Sequence, residues 1–118
     1  MYSRQFMITI FEDQITDIRL FWKNLGYLNP ETYVVILHNK NCSAHYHVFL
    51  KFNSPINIDV ISETFDYLKL DLIYGGKNNV FNVIKYLLQI DKPIEYQYSI
   101  LDLRTNIDLA TIAKMLCI

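Results

Sequence analysis

The chain has 118 residues, of which 52% are hydrophobic and 14% aromatic, and its net charge is −1. This composition excludes a disordered chain and is typical of a single domain, residues 1–118, with a hydrophobic core. The longest apolar runs, about five residues, are too short to cross a bilayer, and the N-terminus lacks the apolar core of a signal peptide. We therefore expect an intracellular protein. Cys42 and Cys117 form no paired motif, so we expect free thiols.

The first half of the chain predicts a strand, a helix and a β-hairpin. Residues 4–11 are rich in Ile and Phe, as in a buried strand. Asp13 is a suitable N-cap for a helix whose apolar residues recur at helical spacing up to Gly26, where we expect the helix to end. Residues 33–37 form a β-branched strand, and residues 39–43 have the composition of a turn. A histidine-containing strand follows, which completes the hairpin.

The second half of the chain predicts two further helices, a further strand and a terminal helix. We expect Ser54-Pro55 to end the histidine strand, helices over about 57–67 and 79–90, a strand over 69–74, an extended piece over 94–100, and a last helix over about 106–118 capped by Thr105 or Asn106. This order predicts an α+β fold: a ferredoxin-like or RRM-like antiparallel sheet with helices on one face, the other face open, and an additional C-terminal helix.

The last helix carries an apolar stripe of Leu109, Ile112 and Leu116. Such a stripe must be buried, either against the helix's own sheet or against a second subunit. We expect this helix to form part of a homodimer interface.

The three histidines of the chain lie within ten residues of one another. In a strand over residues 45–52, alternate side chains share a face, so His45 and His47 lie side by side, and His38 ends the preceding strand. Neutral imidazole is a common ligand of divalent metals. A pair of solvated histidines with no ligand is the alternative, but the third histidine favours a metal site.

The positive charge is unevenly distributed along the chain. Residues 38–52 and 74–92 carry a net charge of +4, whereas the rest carries −5. If the two stretches meet, they form a basic surface suited to nucleic acid, although chance unevenness is an alternative. The candidate DNA-binding residues are Lys40, Lys51, Lys77, Lys85, Lys92 and Gln89.

Tyr86, in the third predicted helix, is a candidate nucleophile. It lies at the edge of an apolar stripe, so a half-buried structural tyrosine is an equally good interpretation. A phenol ionises near pH 10, but a nearby divalent cation and lysines would favour the phenolate that attacks a phosphate. Histidines, lysines and a tyrosine together indicate phosphodiester cleavage. Tyr96 and Tyr98 lie beyond Pro93, and we expect the chemical step not to need them.

Four segments resemble the HUH endonucleases, the replication initiators (Rep proteins) of rolling-circle plasmids and viruses. Residues 45–47, His-Tyr-His followed by an apolar strand, resemble the family's histidine–hydrophobic–histidine motif. Residues 84–98 are similar to the nucleophile segment, where Tyr-Leu precedes an acidic residue, a proline and a Tyr-Gln-Tyr ending. Residues 6–9 and 37–41 resemble the first motif and the metal segment. The small size and the C-terminal helix without a helicase domain resemble the initiators of rod-shaped archaeal viruses.

The resemblance implies a metal-dependent enzyme that nicks and joins single-stranded DNA to initiate replication of a virus or plasmid, in the host cytoplasm if viral. It implies that His45 and His47 hold Mn²⁺ or Mg²⁺ with His38 as third ligand. It also implies that Tyr86 attacks the scissile phosphate and becomes joined to the 5′ end, leaving a free 3′ hydroxyl.

The chain departs from the family at two positions. Asn41 stands where the metal segment has a carboxylate, and Ile90 stands where many initiators have a lysine. Lys85, Gln89 or Lys92 could replace that lysine. A different class of function also fits: an RRM-like module that binds single strands without catalysis, by stacking bases on Tyr33, Phe49 and Phe11.

Overall fold

A computed structural model describes residues 2–65, 71–74 and 80–117 of the chain. Within these residues the strands are β1 Tyr2–Phe11, β2 Thr32–His38, β3 His45–Asn57, β4 Asp71–Tyr74 and β5 Arg104–Thr105, and the α-helices are α1 Ile18–Leu28, α2 Ile58–Thr64, α3 Val80–Leu88 and α4 Leu109–Leu116. The strands form one antiparallel sheet in the order β4-β1-β3-β2-β5. The predicted α+β fold with its additional C-terminal helix is confirmed.

One face of the sheet, which we call the first face, is covered by α1 and α2. Its buried side chains are Phe6, Ile8, Ile10, Val35, Val48, Leu50 and Phe52, which pack with Phe21 and Leu25 of α1 and Ile61 of α2. The alternation of side chains along each strand places this purely hydrocarbon set on one side. This is the helix-covered face that the sequence predicts.

The opposite face, which we call the second face, is less open than predicted. Val34, Ile36 and Phe49 of the sheet pack against four buried residues of α3 and against Ile112 of α4. The reason is that α3 is apolar over most of its circumference, so leaving it in solvent would expose a large hydrocarbon surface. The cover reaches only part of the face, and the histidine end of the sheet borders a cleft.

The first helix begins and ends later than predicted. Asp17, rather than Asp13, is the N-cap, because its carboxylate accepts hydrogen bonds from the backbone amides of Arg19 and Leu20. Asp13 lies in a preceding 3₁₀ turn, Glu12–Gln14. The helix passes through its glycine and ends at Asn29, which adopts a left-handed conformation with φ of 48°.

The prediction that Ser54-Pro55 ends β3 is wrong, because the strand continues to Asn57. Its pairing with β2 stops at Lys51, so Pro55 occupies a part of β3 that pairs with β1 alone. The β1–β3 register also shifts between Ser3 and Gln5. A proline, which lacks an amide hydrogen, is tolerated at such an edge or irregularity.

The region after α3 differs most from its prediction. α3 ends at Leu88 because Gln89 adopts a left-handed conformation with φ of 55°. The predicted extended piece over 94–100 contains two 3₁₀ turns instead, Ile94–Tyr96 and Ile100–Asp102, and the short strand β5 follows them. Periodicity does not reveal a two-residue strand. The predicted end of the second helix near residue 67, the predicted start of the next strand at residue 69 and the predicted start of the third helix near residue 79 lie outside the described residues.

The last helix packs on its own sheet. Its N-cap is Asp108. The predicted caps, Thr105 and Asn106, instead form hydrogen bonds with the backbone of Tyr33 and Glu31. Its apolar stripe, Leu109, Ile112 and Leu116, packs against the second face, and Ile112 is 1% exposed. The homodimer stays a prediction, although the stripe that suggests it is used within the chain. Within the described residues, no helix has the length and apolarity required to span a membrane.

Candidate active site

Strand pairing brings the three histidines together at one end of the second face. His38 is the direct partner of His45 across the β2–β3 ladder, and His47 lies two residues further along β3. The imidazole centroids are separated by 5.5 Å for His38 and His45, 4.5 Å for His38 and His47, and 4.8 Å for His45 and His47. One nitrogen from each ring lies within 4.8 Å of the others. The predicted group of three histidines that could hold a metal ion is therefore present.

Each imidazole has one ring nitrogen next to an oxygen of the protein. Nδ1 of His45 donates to the Ser43 carbonyl at 2.7 Å, and Nε2 of His38 donates to the Leu87 carbonyl at 2.6 Å. Nδ1 of His47 lies 3.3 Å from the Thr9 hydroxyl. A carbonyl can only accept, so the contacts of His45 and His38 place the proton of a neutral ring on that nitrogen and leave a lone pair on the other, whereas the Thr9 hydroxyl can either donate to His47 or accept from it. Metal-binding histidines characteristically have such an outer hydrogen bond.

The Nε2 atoms of the β3 pair have a separation that also suits a metal ion. Nε2 of His45 and Nε2 of His47 are 3.2 Å apart. Two nitrogens that each lie about 2.1 Å from one ion, at angles between octahedral and tetrahedral, are separated by about 2.9 to 3.4 Å. In the metal-free protein the same distance is that of a hydrogen bond in which one Nε2–H donates to the other Nε2. A divalent cation that replaces this proton fits the same separation.

His38 differs from the other two histidines in that the partners of both its ring nitrogens lie outside the histidine cluster. Besides the bond from its Nε2 to Leu87, its Nδ1 accepts from the side-chain amide of Gln89 at 3.2 Å. A cation bound at this Nδ1 would displace the Gln89 amide. His38 is also the most enclosed of the three, at 3% exposure.

Burial keeps two of the imidazoles neutral. It lowers the pKa of His47 to about 4, and repulsion from His38 and His45 adds to the effect. The pKa of His38 is lowered mainly by burial, partly opposed by its bond to the Leu87 carbonyl. Neutral imidazole is the form that binds metal, so near neutral pH these two rings carry the lone pairs that a cation needs.

Tyr86 lies in the same cleft as the histidines. Val83 and Leu87, on the same helix α3, are buried against the sheet, whereas Tyr86 itself is 62% exposed. The interpretation of Tyr86 as a half-buried core residue is therefore wrong. Its ring centroid lies 6.1 Å from that of His47. This separation allows a phosphate bound near the histidines to meet the phenol.

The cleft has a volume of about 1020 Å³. The residues that line it are Met7, Thr9, His38, Lys40, Asn41, Cys42, His45, His47, Asn82, Val83, Tyr86, Gln89, Asp91, Lys92 and Tyr96. Its size and its mixed polar and apolar lining suit a segment of a flexible ligand rather than a lone ion.

The candidate DNA-binding residues divide into three groups. Lys40, Lys92 and Gln89 line the cleft. Lys85 and Lys51 do not line it, and the Lys85 ammonium lies over the Phe81 ring, 4.5 Å from its centroid. Lys77 lies outside the described residues. Cys42 and Cys117 are both free and exposed, as expected.

Two residues at the histidine cluster are not among the predicted site residues. Thr9 pairs with His47 across the β1–β3 ladder, and the strand alternation of β1 places it on the second face, so register could have revealed it. Tyr98 stacks on His38 with ring centroids 4.7 Å apart and an angle of 14° between planes. No periodicity points to Tyr98, because irregular backbone brings it there.

No protein-family model and no curated protein matches the chain. A solved structure similar to this one is the crystal structure of the hypothetical protein ORF119 from Sulfolobus islandicus rod-shaped virus 1. The TM-score is 0.53 at 22% sequence identity, over 84% of this chain and 89% of that one. At this identity the likeness shows a shared fold.

Proposed function

We propose that the protein is a metal-dependent endonuclease that nicks and joins single-stranded DNA, with Tyr86 as nucleophile and Mn²⁺ or Mg²⁺ held by His38, His45 and His47. The observation that carries the proposal is the arrangement of the cleft. Three histidines, each with an outer oxygen partner, share it with an exposed tyrosine. Initiation of viral or plasmid replication is the role that fits such a reaction.

A divalent cation at the histidines would supply positive charge to the non-bridging oxygens of the scissile phosphate. The three imidazoles contribute lone pairs without a counter-charge, so the site stays cationic and attracts phosphate. Nitrogen ligands favour Mn²⁺ over Mg²⁺, which prefers oxygen. We therefore expect stronger activity with manganese.

Tyr86 supplies the nucleophile. Its phenolic oxygen loses its proton to solvent and forms a bond to phosphorus, while the bond from phosphorus to the 3′ oxygen breaks. The 3′ oxygen takes up a proton and leaves as a hydroxyl, and the 5′ phosphate stays esterified to Tyr86. Attack by a 3′ hydroxyl on this ester reverses the step and joins the strand. The exposure of the phenol allows a DNA strand to approach it.

Lys40 and Lys92 support the binding of DNA. Both line the cleft, where their ammonium groups can neutralise strand phosphates on either side of the scissile bond. Gln89 also lines the cleft, and it can donate to a phosphate oxygen once its amide leaves His38. Asp91 opposes this positive charge, so the cleft is only moderately basic.

The test replaces Tyr86 with Phe, which keeps the ring and removes the nucleophile. We expect Tyr86→Phe to bind single-stranded DNA and Mn²⁺ like the parent, yet to neither cut nor form a covalent adduct. The measurement is a denaturing gel of protein mixed with Mn²⁺ and single-stranded DNA labelled on the 3′ side of the cut, which shows a labelled protein band for the parent.

Tyr96→Phe is the matched control, since Tyr96 also lines the cleft and should remain active. An adduct that persists in Tyr86→Phe moves the nucleophile elsewhere. Absence of an adduct with the parent, over a varied set of strands, contradicts the endonuclease.

The alternative, a non-catalytic module that stacks bases, requires exposed aromatic side chains on one face of the sheet, and two of its three candidates do not meet this requirement. Phe49 is 3% exposed beneath α3 and α4, and Tyr33 packs with the first face, on the other side of the sheet. Only Phe11, at 42% exposure and beside the His45 ring, stays available on the second face. The three aromatics therefore do not form a continuous stacking surface.

A further inference from the structure

We infer that Tyr98 is a positioning residue that holds His38 in the orientation required of a third metal ligand. The inference rests on the proposed metal site and adds to it a residue outside the β-hairpin. Tyr98 lies in the segment between the two 3₁₀ turns, far along the chain from the histidines. Three sets of contacts connect it to the His38 ring, to the backbone that follows His38 and to α3.

The first contact is with the His38 ring itself. The two rings stack at 4.7 Å with planes only 14° apart. One flat face of His38 is therefore covered by Tyr98, whereas His47 meets the same imidazole at an angle of 70°. A stacked ring cannot rotate about its outer side-chain bond without losing this contact, so Tyr98 fixes the plane of the imidazole.

The second contact holds the backbone that follows His38. The Tyr98 hydroxyl accepts hydrogen bonds from the amides of Asn39 at 2.8 Å and Lys40 at 2.9 Å. These are the two residues directly after the ligand, at the start of the turn between β2 and β3. One phenolic oxygen therefore holds the end of β2 against rotation.

The third contact ties this arrangement to α3. The Tyr98 amide donates to the Leu88 carbonyl at 3.0 Å, and the preceding carbonyl of α3, that of Leu87, accepts from His38. The Lys40 ammonium donates to the Gln97 carbonyl and lies over the Tyr98 ring, 4.8 Å from its centroid. The imidazole is thereby fixed in plane and in tautomer by one connected set of bonds.

The consequence concerns metal affinity. A ligand that is already oriented loses little freedom on binding, so the cation is bound more tightly. His47 lies inside the paired strand β3, whereas His38 ends β2 and is the histidine that Tyr98 contacts. The contribution of Tyr98 should therefore act through His38 alone.

The experiment measures Mn²⁺ affinity by the electron paramagnetic resonance signal of free Mn²⁺, without DNA. Tyr98→Phe keeps the stacked ring and loses the hydroxyl, and we expect its Mn²⁺ affinity to fall several-fold. Tyr98→Leu loses both, and we expect its Mn²⁺ affinity to fall about tenfold or more, as for other groups that orient metal ligands. Tyr96→Phe, which removes a hydroxyl two residues away, should match the parent.

A double-variant cycle distinguishes positioning from general structural support. In a His38→Ala background, Tyr98→Phe should change the affinity less than about twofold. An unchanged affinity in Tyr98→Phe and Tyr98→Leu overturns the inference, and so does a loss that persists without His38. A parent that binds no Mn²⁺ overturns both this inference and the metal site. A parent that binds Mn²⁺ with the expected Tyr98 dependence, but does not nick DNA, contradicts the proposed function alone.

Discussion

The two faces of the sheet are built from the same strands but differ in how completely they are covered. The buried side chains of the first face are all hydrocarbon, and α1 and α2 cover them. The second face begins with the same kind of packing beneath α3 and α4, then changes to the histidines and Thr9 at the border of the cleft. The closed face stabilises the fold, and this allows the other face to expose groups suited to chemistry.

The histidine end of the second face also differs in its polar contacts. On the first face, the strands contribute only hydrocarbon to the core. On the second face, every histidine ring nitrogen has a defined neighbour: Ser43, Thr9, Leu87 or Gln89 for four of them, and each other for the Nε2 atoms of His45 and His47. A partly buried polar cluster is stable when its groups are satisfied. The four predictions that follow test this contrast.

The first prediction, with the largest expected effect on stability, compares the loss of an aromatic side chain from α1 with the same loss from α3. Phe21 of α1 is fully buried on the first face, whereas Tyr86 of α3 is 62% exposed beside the second. We expect Phe21→Ala to lower the free energy of unfolding by about 3 to 5 kcal/mol and Tyr86→Ala to change it by less than about 0.5 kcal/mol. Urea denaturation of both variants measures this. Equal losses in the free energy of unfolding would contradict the conclusion that the first face stabilises the fold while Tyr86 is left exposed beside the second.

The second prediction removes the two histidines of β3 that are proposed as metal ligands. We expect the combined His45→Ala and His47→Ala variant to keep its circular dichroism spectrum and lose Mn²⁺ affinity by about a hundredfold or more, with loss of nicking, because His38 alone is a weak site. Lys51→Ala, on the same strand and face, is the control and should bind Mn²⁺ normally. Undiminished cleavage by the purified double variant would rule out the metal site.

The third prediction concerns pH in the metal-free protein. The folded pKa of His47 is about 4, below the ordinary value of 6.5. Between these values the unfolded chain binds a proton that the folded chain excludes, so this contribution to stability is present above about pH 6.5 and is lost as the pH falls toward 4. We expect a loss of roughly 1 to 3 kcal/mol.

Urea unfolding at several pH values, with His47→Ala as reference, isolates this term from the titration of carboxylates. The difference in unfolding free energy between parent and variant should become less favourable to the parent as the pH is lowered. A difference independent of pH would show that the imidazole is not held neutral by its surroundings.

The smallest expected effect concerns the homodimer. The inward stripe of α4 leaves Met115, 43% exposed, as an apolar residue of that helix available to a second subunit. We expect light scattering at micromolar concentration to give twice the 14.0 kDa chain mass and Met115→Glu to shift it toward the monomer. A monomeric parent would show that α4 serves its own second face only.

Sequence alone determined the parts of the molecule that depend on local periodicity. The alternation along β3 places His45 and His47 on one face and Val48 on the other, because successive side chains of a strand point in opposite directions. The order of elements and the hairpin turn then bring His38 opposite His45. Fold class and the histidine cluster follow from these short-range rules.

Only the tertiary structure decided what surrounds that cluster. The cover of the second face by α3 and α4, the exposure of Tyr86 and the stacking of Tyr98 on His38 depend on segments distant in sequence that meet through packing and through irregular backbone. The continuation of β3 through Pro55 is also a tertiary effect, because it depends on the absence of β2 beside that part of β3. Such contacts have no repeating spacing in the chain, because their free energy comes from surfaces that exist only after the sheet has formed.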